Sequence, residues 1–275
     1  RLAALNMELD HFLAEDYGVQ GADKTTKDSR LKKWKAAHKP FHWLSEFYDI
    51  VVGHGFDVVV GNPPYVKAGD VRKDYAILGY DTERCPDMYA WIMERAAELT
   101  SENGFYGMIV PLSLAFSSGF QPLRQLLLKE FDANWFSSFA RIPAALFSAD
   151  VRVRNTIHIG QRCGHQGNYT TSTHRWFEVA RPHLVERIEY AKFDPAIWGG
   201  LIPKLGNQRL MYALEVTKQR IKPLDAKIVS QANRYQLYFK KSAYNWVSFA
   251  FDPAPSYGAN GKQLPITETG LTSFE

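Results

Sequence analysis

Hydrophobic positions change period several times along the chain, and those changes outline its elements. Leu2, Leu5, Leu9, Phe12 and Leu13 recur at helical spacing, which predicts a packing helix at the start. Phe56-Asp57-Val58-Val59-Val60-Gly61 is a short, β-branched apolar run. It reads as a buried parallel strand whose final glycine lets the backbone turn out of the sheet. From Pro86 to Ser101, with Met88, Trp91, Ile92 and Leu99 on one face, the spacing predicts a helix opened by a proline and Asp87 and stopped by Asn103-Gly104. Gly104 to Pro111 predicts a strand, and Pro122 to Phe131, with Leu123, Leu126 and Leu127, predicts another helix. The alternation makes a wound α/β pattern. Asn134–Ala140 and Arg154–Gly160 then predict two strands close in sequence, which suit an antiparallel pair. Further on, Tyr169–Val179 predicts a strand, Gln208–Ile221 a helix, and Arg234–Phe251 two strands flanking Asn245-Trp246.

Between the predicted strand ending at Gly61 and the helix opening at Pro86 lie Asn62-Pro63-Pro64-Tyr65. The two prolines stiffen the exit and leave carbonyls free, and the carboxyl end of a strand in an open α/β sheet is where ligands bind. The residue types suit an amine conjugated to a ring, such as N6 of adenine, whose delocalised lone pair is a poor nucleophile. Acceptors serve it better than a strong base. The Asn62 side-chain oxygen and the Pro63 carbonyl each offer a place for one amine hydrogen, and Tyr65 offers a stacking surface worth about 1–3 kcal/mol to an extruded base.

The segment Phe56 to Tyr65 resembles the catalytic strand and loop of S-adenosylmethionine-dependent N6-adenine DNA methyltransferases. The lead-in Pro40-Phe41-His42-Trp43 with Glu46-Phe47 and Gly55-Phe56-Asp57 resembles the large fused methylases of restriction-modification and phage-defence systems. The resemblance implies a partial Rossmann-like methyltransferase fold, a mixed sheet closed by the antiparallel pair, with a C-terminal α+β extension. It implies a catalytic role for Asn62, Pro63, Pro64 and Tyr65. It also implies contact of Phe147 with the flipped adenine, and places Asp87, Tyr89 and Ile92 beside the adenine of the cofactor. Ordinary packing is the competing reading for Phe147, Tyr89 and Ile92. The family's glycine-rich cofactor loop is not found, since Gly53-His54-Gly55 runs straight into the strand. Together with an opening Arg1 in place of methionine, this leads us to expect a piece of a longer polypeptide. Residues 1–195 are expected to form the C-terminal part of a catalytic domain. Residues 196–275 are expected to form a linker around Pro195–Pro203 and the start of a target-recognition region, or else an extension that packs on the catalytic domain.

Composition changes this picture little. Of 275 residues, 45% are hydrophobic and the net charge is +4, which is compatible with a nucleic-acid partner without requiring one. No apolar run reaches eighteen residues, so no membrane is expected and the cytoplasm is the default. Cys85 and Cys163 lack zinc-site spacing, and no metal site is expected; both are read as reduced structural thiols. Lys24, Lys27, Arg30, Lys32, Lys33, Lys35 and Lys39 surround Trp34. Such a run is usually a solvated helix face and less often a track for phosphates. The segment 66–82 is expected to be a mobile loop over the site, and Arg141, Arg152, Arg154 and Arg162 are candidate contacts to flanking phosphates. Double-stranded DNA is thus the expected partner and S-adenosylmethionine the expected cofactor. Two alternatives stay open: methyl transfer to protein glutamine or RNA, and a DNA-binding module that has lost catalysis.

Overall fold

The computed structural model describes residues 2–19, 23–147, 153–164, 166–220 and five short strands beyond. Helices Leu2–Asp16 (α1), Lys24–His38 (α2), Trp43–Glu46 (α3) and Tyr48–Gly53 (α4) precede strand Phe56–Gly61 (β1). Then come helix Ala68–Val71 (α5), helix Tyr89–Leu99 (α6), strand Thr100–Pro111 (β2), helix Gln121–Glu130 (α7), and strands Ala133–Phe139 (β3), Asn155–Gln161 (β4), Gly167–Thr170 (β5) and Ala191–Lys192 (β6). Helix Gln208–Arg220 (α8) follows. The chain divides into two compact units, Arg1–Ala213 and Leu214–Glu275. In the second unit, strands Leu237–Lys240 and Ser248–Ala250 pair antiparallel, as predicted, while Asn245-Trp246 lies outside the described residues.

Six strands form one mixed sheet in the order β1-β2-β4-β3-β5-β6. β1 and β2 run parallel, joined through α6, and β4 lies antiparallel between β2 and β3. The fold is thus the expected α/β one, with the antiparallel pair in place. Of the strand expected from Tyr169 to Val179, continuous pairing ends at Thr170, His174 adds an isolated bridge to Phe139, and a 3-10 turn spans Glu178–His183. Pro182 lies in that turn and gives no ladder donor.

The core lies on one face of this sheet. Tyr106, Met108, Val110 and Phe136 point to that face, and Met93 and Ala97 of α6 and Leu123 and Leu127 of α7 cover them. At about 25 cal/mol per Å² of apolar area, burying side chains of this size is worth about 2 kcal/mol each. The opposite face is open at the β1 end. Val58 and Val60 are 58% and 73% exposed, beside exposed Phe105 and Ile159. β1 is therefore parallel, as expected, but half-covered: α6 and α7 both pack on the other side.

Other expectations shift in the same way. The aromatic residues of the lead-in, Phe41, Trp43, Phe47 and Tyr48, are of types ordinarily found in a core. Phe41, Trp43, Phe47 and Phe56 do join ring to ring at 5.0–6.2 Å. The cluster nevertheless stands at the surface, with Phe41, Trp43 and Tyr48 exposed. α2 turns Trp34 inward and most of its basic residues outward, the solvated-face reading. Asp10 joins the first helices, accepting from His42 at 2.8 Å and pairing with Lys35. The Pro195–Pro203 stretch lies within the first unit and is held there by buried Ile202, whose N–H donates to the Ala115 carbonyl. Buried Arg124 donates to the carbonyls of Gly200, Leu114 and Ser117.

Candidate active site

β1 delivers Asn62 to the carboxyl edge of the sheet. Its last residue, Gly61, lies so close to β2 that an added Cβ would meet the Met108 sulfur at 3.0 Å. Beyond it Asn62 and Pro64 are exposed, Pro63 is buried and Tyr65 is half-buried. The chain then turns so that the Tyr65 hydroxyl comes back beneath Asn62.

That hydroxyl joins three elements. It lies 3.1 Å from Asn62 Oδ1 and 3.1 Å from the Ile109 carbonyl near the end of β2. From the other side it accepts a hydrogen bond from Asn155 Nδ2, also 3.1 Å, at the first residue of β4. Burial pushes the phenol up to about 12, although the Asn155 hydrogen bond pulls the other way. At neutral pH Tyr65 is therefore a neutral hydrogen-bond donor and not a base. Its ring meets Tyr89 edge-on at 6.4 Å, and its other face is not taken up by any ring of the described residues.

Asp87 is buried and pairs with Lys67 at 2.9 Å. The two residues form a β-bridge, flanked by the Ala68 N–H on the Pro86 carbonyl and the Met88 N–H on the Val66 carbonyl. The loop after Tyr65 is thus fastened at its root to the start of α6. These bonds hold Pro86 to Met88 outside the helix, which begins at Tyr89 rather than Pro86. Tyr89 is fully buried, stacked on Phe120 at 4.9 Å with its hydroxyl 3.3 Å from Ser113 Oγ, the geometry of a core residue. Ile92 takes another place: with Tyr17, Trp43, Met88, Trp91 and Arg95 it lines a cavity of about 590 Å³. Of the three residues expected near a cofactor, Ile92 alone faces that space.

Phe147 is half-buried in the connection after β3, and the ring beside Tyr65 is that of Tyr89. Of the four arginines, Arg152 lies outside the described residues. Arg162 is a structural clamp: its guanidinium donates to the carbonyls of Glu130, Thr100 and Ala97 and pairs with the Glu130 carboxylate at 3.0 Å. Arg141 and Arg154 are half-buried. Cys85 is buried, its thiol pushed up to about 11 by burial, and Cys163 is half-buried; neither is in a disulfide. Among the described residues no group of three His, Cys, Asp or Glu side chains is placed to hold a metal. Asn155 was not read as a site residue. Its partnership with Tyr65 depends on sheet register across 90 residues of sequence, which a local pattern does not carry.

The chain has relatives among named methyltransferases. It is 36% identical over 72 residues to the adenine-specific methyltransferase PglX of Lacticaseibacillus casei (26% of this chain, 6% of that protein). It is 32% identical over 101 residues to the adenine-specific methyltransferase BrxX of Escherichia coli O9:H4 (35% and 8%). These matches take in less than a tenth of each relative. Among solved structures, a nuclease-deletion mutant of the Type ISP restriction-modification enzyme LlaGI, in complex with a DNA substrate mimic, aligns with a TM-score of 0.42. That alignment is 14% identical and covers 78% of this chain and 22% of that one. Residues 2–142, just over half of the chain and the whole Asn62–Tyr65 loop with its flanking elements, match a single family, and the chain belongs to it: the Eco57I restriction-modification methylases.

Proposed function

We propose that this chain is part of a DNA methyltransferase that moves a methyl group from S-adenosylmethionine to adenine N6 of a flipped-out base. The observation that supports it most is the exposed Asn62 amide at the carboxyl end of a parallel strand, tied by its oxygen to a neutral phenol. Asn62 Oδ1 and the Pro63 carbonyl accept the two amine hydrogens, drawing the nitrogen's lone pair out of conjugation. Pro63 and Pro64 hold that carbonyl stiffly, and Tyr65 gives the base a surface to stack on. Phe147 is the proposed second contact to the base.

The bound cofactor supplies an activated methyl group. The cavity walled by Ile92, Met88, Trp91 and Trp43 fits its adenine, being apolar, aromatic and of ligand size. A glycine-rich turn for the methionine part is not among these residues. Asp87 serves this site through the root of the 66–82 loop, and Tyr89 by supporting Tyr65 from the core side. The C-terminal residues from 196 onward begin the target-recognition region in this reading, and the partner is double-stranded DNA. We place the protein in the cytoplasm, as part of a larger defence polypeptide; no helix of the described residues is long and apolar enough to cross a membrane.

The test is transfer of labelled methyl from S-adenosylmethionine to unmethylated DNA by the full-length protein, with the product nucleoside identified. Label is expected on N6-methyladenine, and Asn62→Ala is expected to lower the rate by about 10²–10³-fold, as for loss of one preorganised charge-stabilising group. Because Asn62 is exposed, the variant should keep its fold. Label on protein or RNA, or an unimpaired Asn62→Ala, overturns the assignment.

A further inference from the structure

We propose that Asn155 is the positioning residue of this site, acting on Asn62 through the Tyr65 hydroxyl. The inference rests on the methyltransferase reading and adds a residue to it. Asn155 is 1% exposed, and its nitrogen is set by two neighbours: the Tyr65 oxygen at 3.1 Å and the Val110 carbonyl at 3.5 Å. Val110 offers only an acceptor, so the amide turns its N–H groups towards this pair. Its own oxygen is buried and has no hydrogen-bond partner among the described residues. Such an atom is a standing cost to the fold. An apolar side chain of similar shape would remove that cost, and with it the one feature the site uses, a fixed donor.

The Tyr65 hydroxyl has one proton and two acceptors at equal distance, Asn62 Oδ1 and the Ile109 carbonyl, each 3.1 Å away. With Asn155 donating into the phenol oxygen, the proton must leave on the opposite side, towards one of the two. Before substrate arrives, it rests on Asn62 Oδ1 and fixes which end of that amide faces the site. When the substrate amine claims the same oxygen, the proton swings to Ile109. Asn62 is then released as an acceptor with no hydrogen bond left unmade, and the phenol does not move. Asn155 is the group that holds the phenol midway.

The test compares full-length wild type with Asn155→Leu and Asn155→Asp. Asn155→Leu is expected to lower kcat about 10- to 100-fold, the effect of slight misplacement of reacting groups. KM for DNA should stay within about twofold and thermal stability should be unchanged or higher. With tyrosines labelled with ¹³C at Cζ, the resonance identified by Tyr65→Phe should shift in Asn155→Leu, a readout that needs no turnover. In Asn155→Asp the new carboxyl donates only when protonated, so its rate relative to wild type should rise as the pH falls from 10 to 5. An Asn155→Leu kcat within twofold of wild type, or an unmoved Tyr65 resonance, overturns the inference. Should that variant not fold, a flat pH ratio for Asn155→Asp does so. If wild type methylates no DNA, the functional reading fails, while the Tyr65 resonance still decides whether Asn155 holds the phenol.

Discussion

Single side chains in this molecule divide into those legible from neighbours in sequence and those fixed by neighbours in space. Asn62 to Tyr65 were legible, because a strand, a glycine and two prolines determine where the loop leaves the sheet. Asn155 and Ser113 were not, because their partners come from strands and turns far away in sequence. His158 shows the same division. It is fully buried in the sheet, stacked on Phe136 at 4.5 Å, with Nε2 on Asn134 Oδ1 at 2.9 Å. Burial pushes its pKa down to about 3, so it stays neutral in the native state while the unfolded chain protonates near 6.5. The unfolded state then binds more protons at any pH between those values. Stability should therefore fall as pH drops below 6.5, by up to about 1.4 kcal/mol per pH unit. Urea titrations of wild type and His158→Gln at pH 7 and 5 check this: the variant should lose about 2 kcal/mol less between the two. An equal loss in both would show that other groups carry the acid sensitivity.

Among elements, periodicity gave β1, α6, β2, α7, β3 and β4 to within a few residues but not the short helices α3 to α5 or the short strands β5 and β6, while closure of the sheet was set by tertiary contacts. Apolar character placed β1 in a sheet, yet it did not tell which face would be covered. Nor did it tell that the aromatic lead-in would lie at the surface beside Phe56. The join from that lead-in to β1 is made by Gly55, at φ 84°, where an added Cβ would approach the Leu99 carbonyl oxygen at 2.7 Å. Backbone strain and clash act together there. Gly55→Ala is expected to cost about 1–3 kcal/mol, seen as a lower denaturation midpoint, and to lower activity by displacing the strand that carries Asn62. A midpoint equal to wild type would mean that β1 adjusts at no cost.

At the largest scale, the first unit is built on a sheet whose two faces have different fates. Parallel strands are usually covered on both faces. Here Val58, Val60, Phe105 and Ile159 remain together in water at the β1 end. An apolar surface of this kind makes a protein adhesive. The chain on its own should therefore bind a hydrophobic fluorescent dye at this end and scatter more light as its concentration rises. Val60→Lys should reduce both signals while leaving the unfolding free energy within about 0.5 kcal/mol of wild type, as for a surface change. The strand that brings Asn62 to its post thus doubles as an adhesive surface, and handling this protein in the laboratory becomes a matter of keeping that strand occupied.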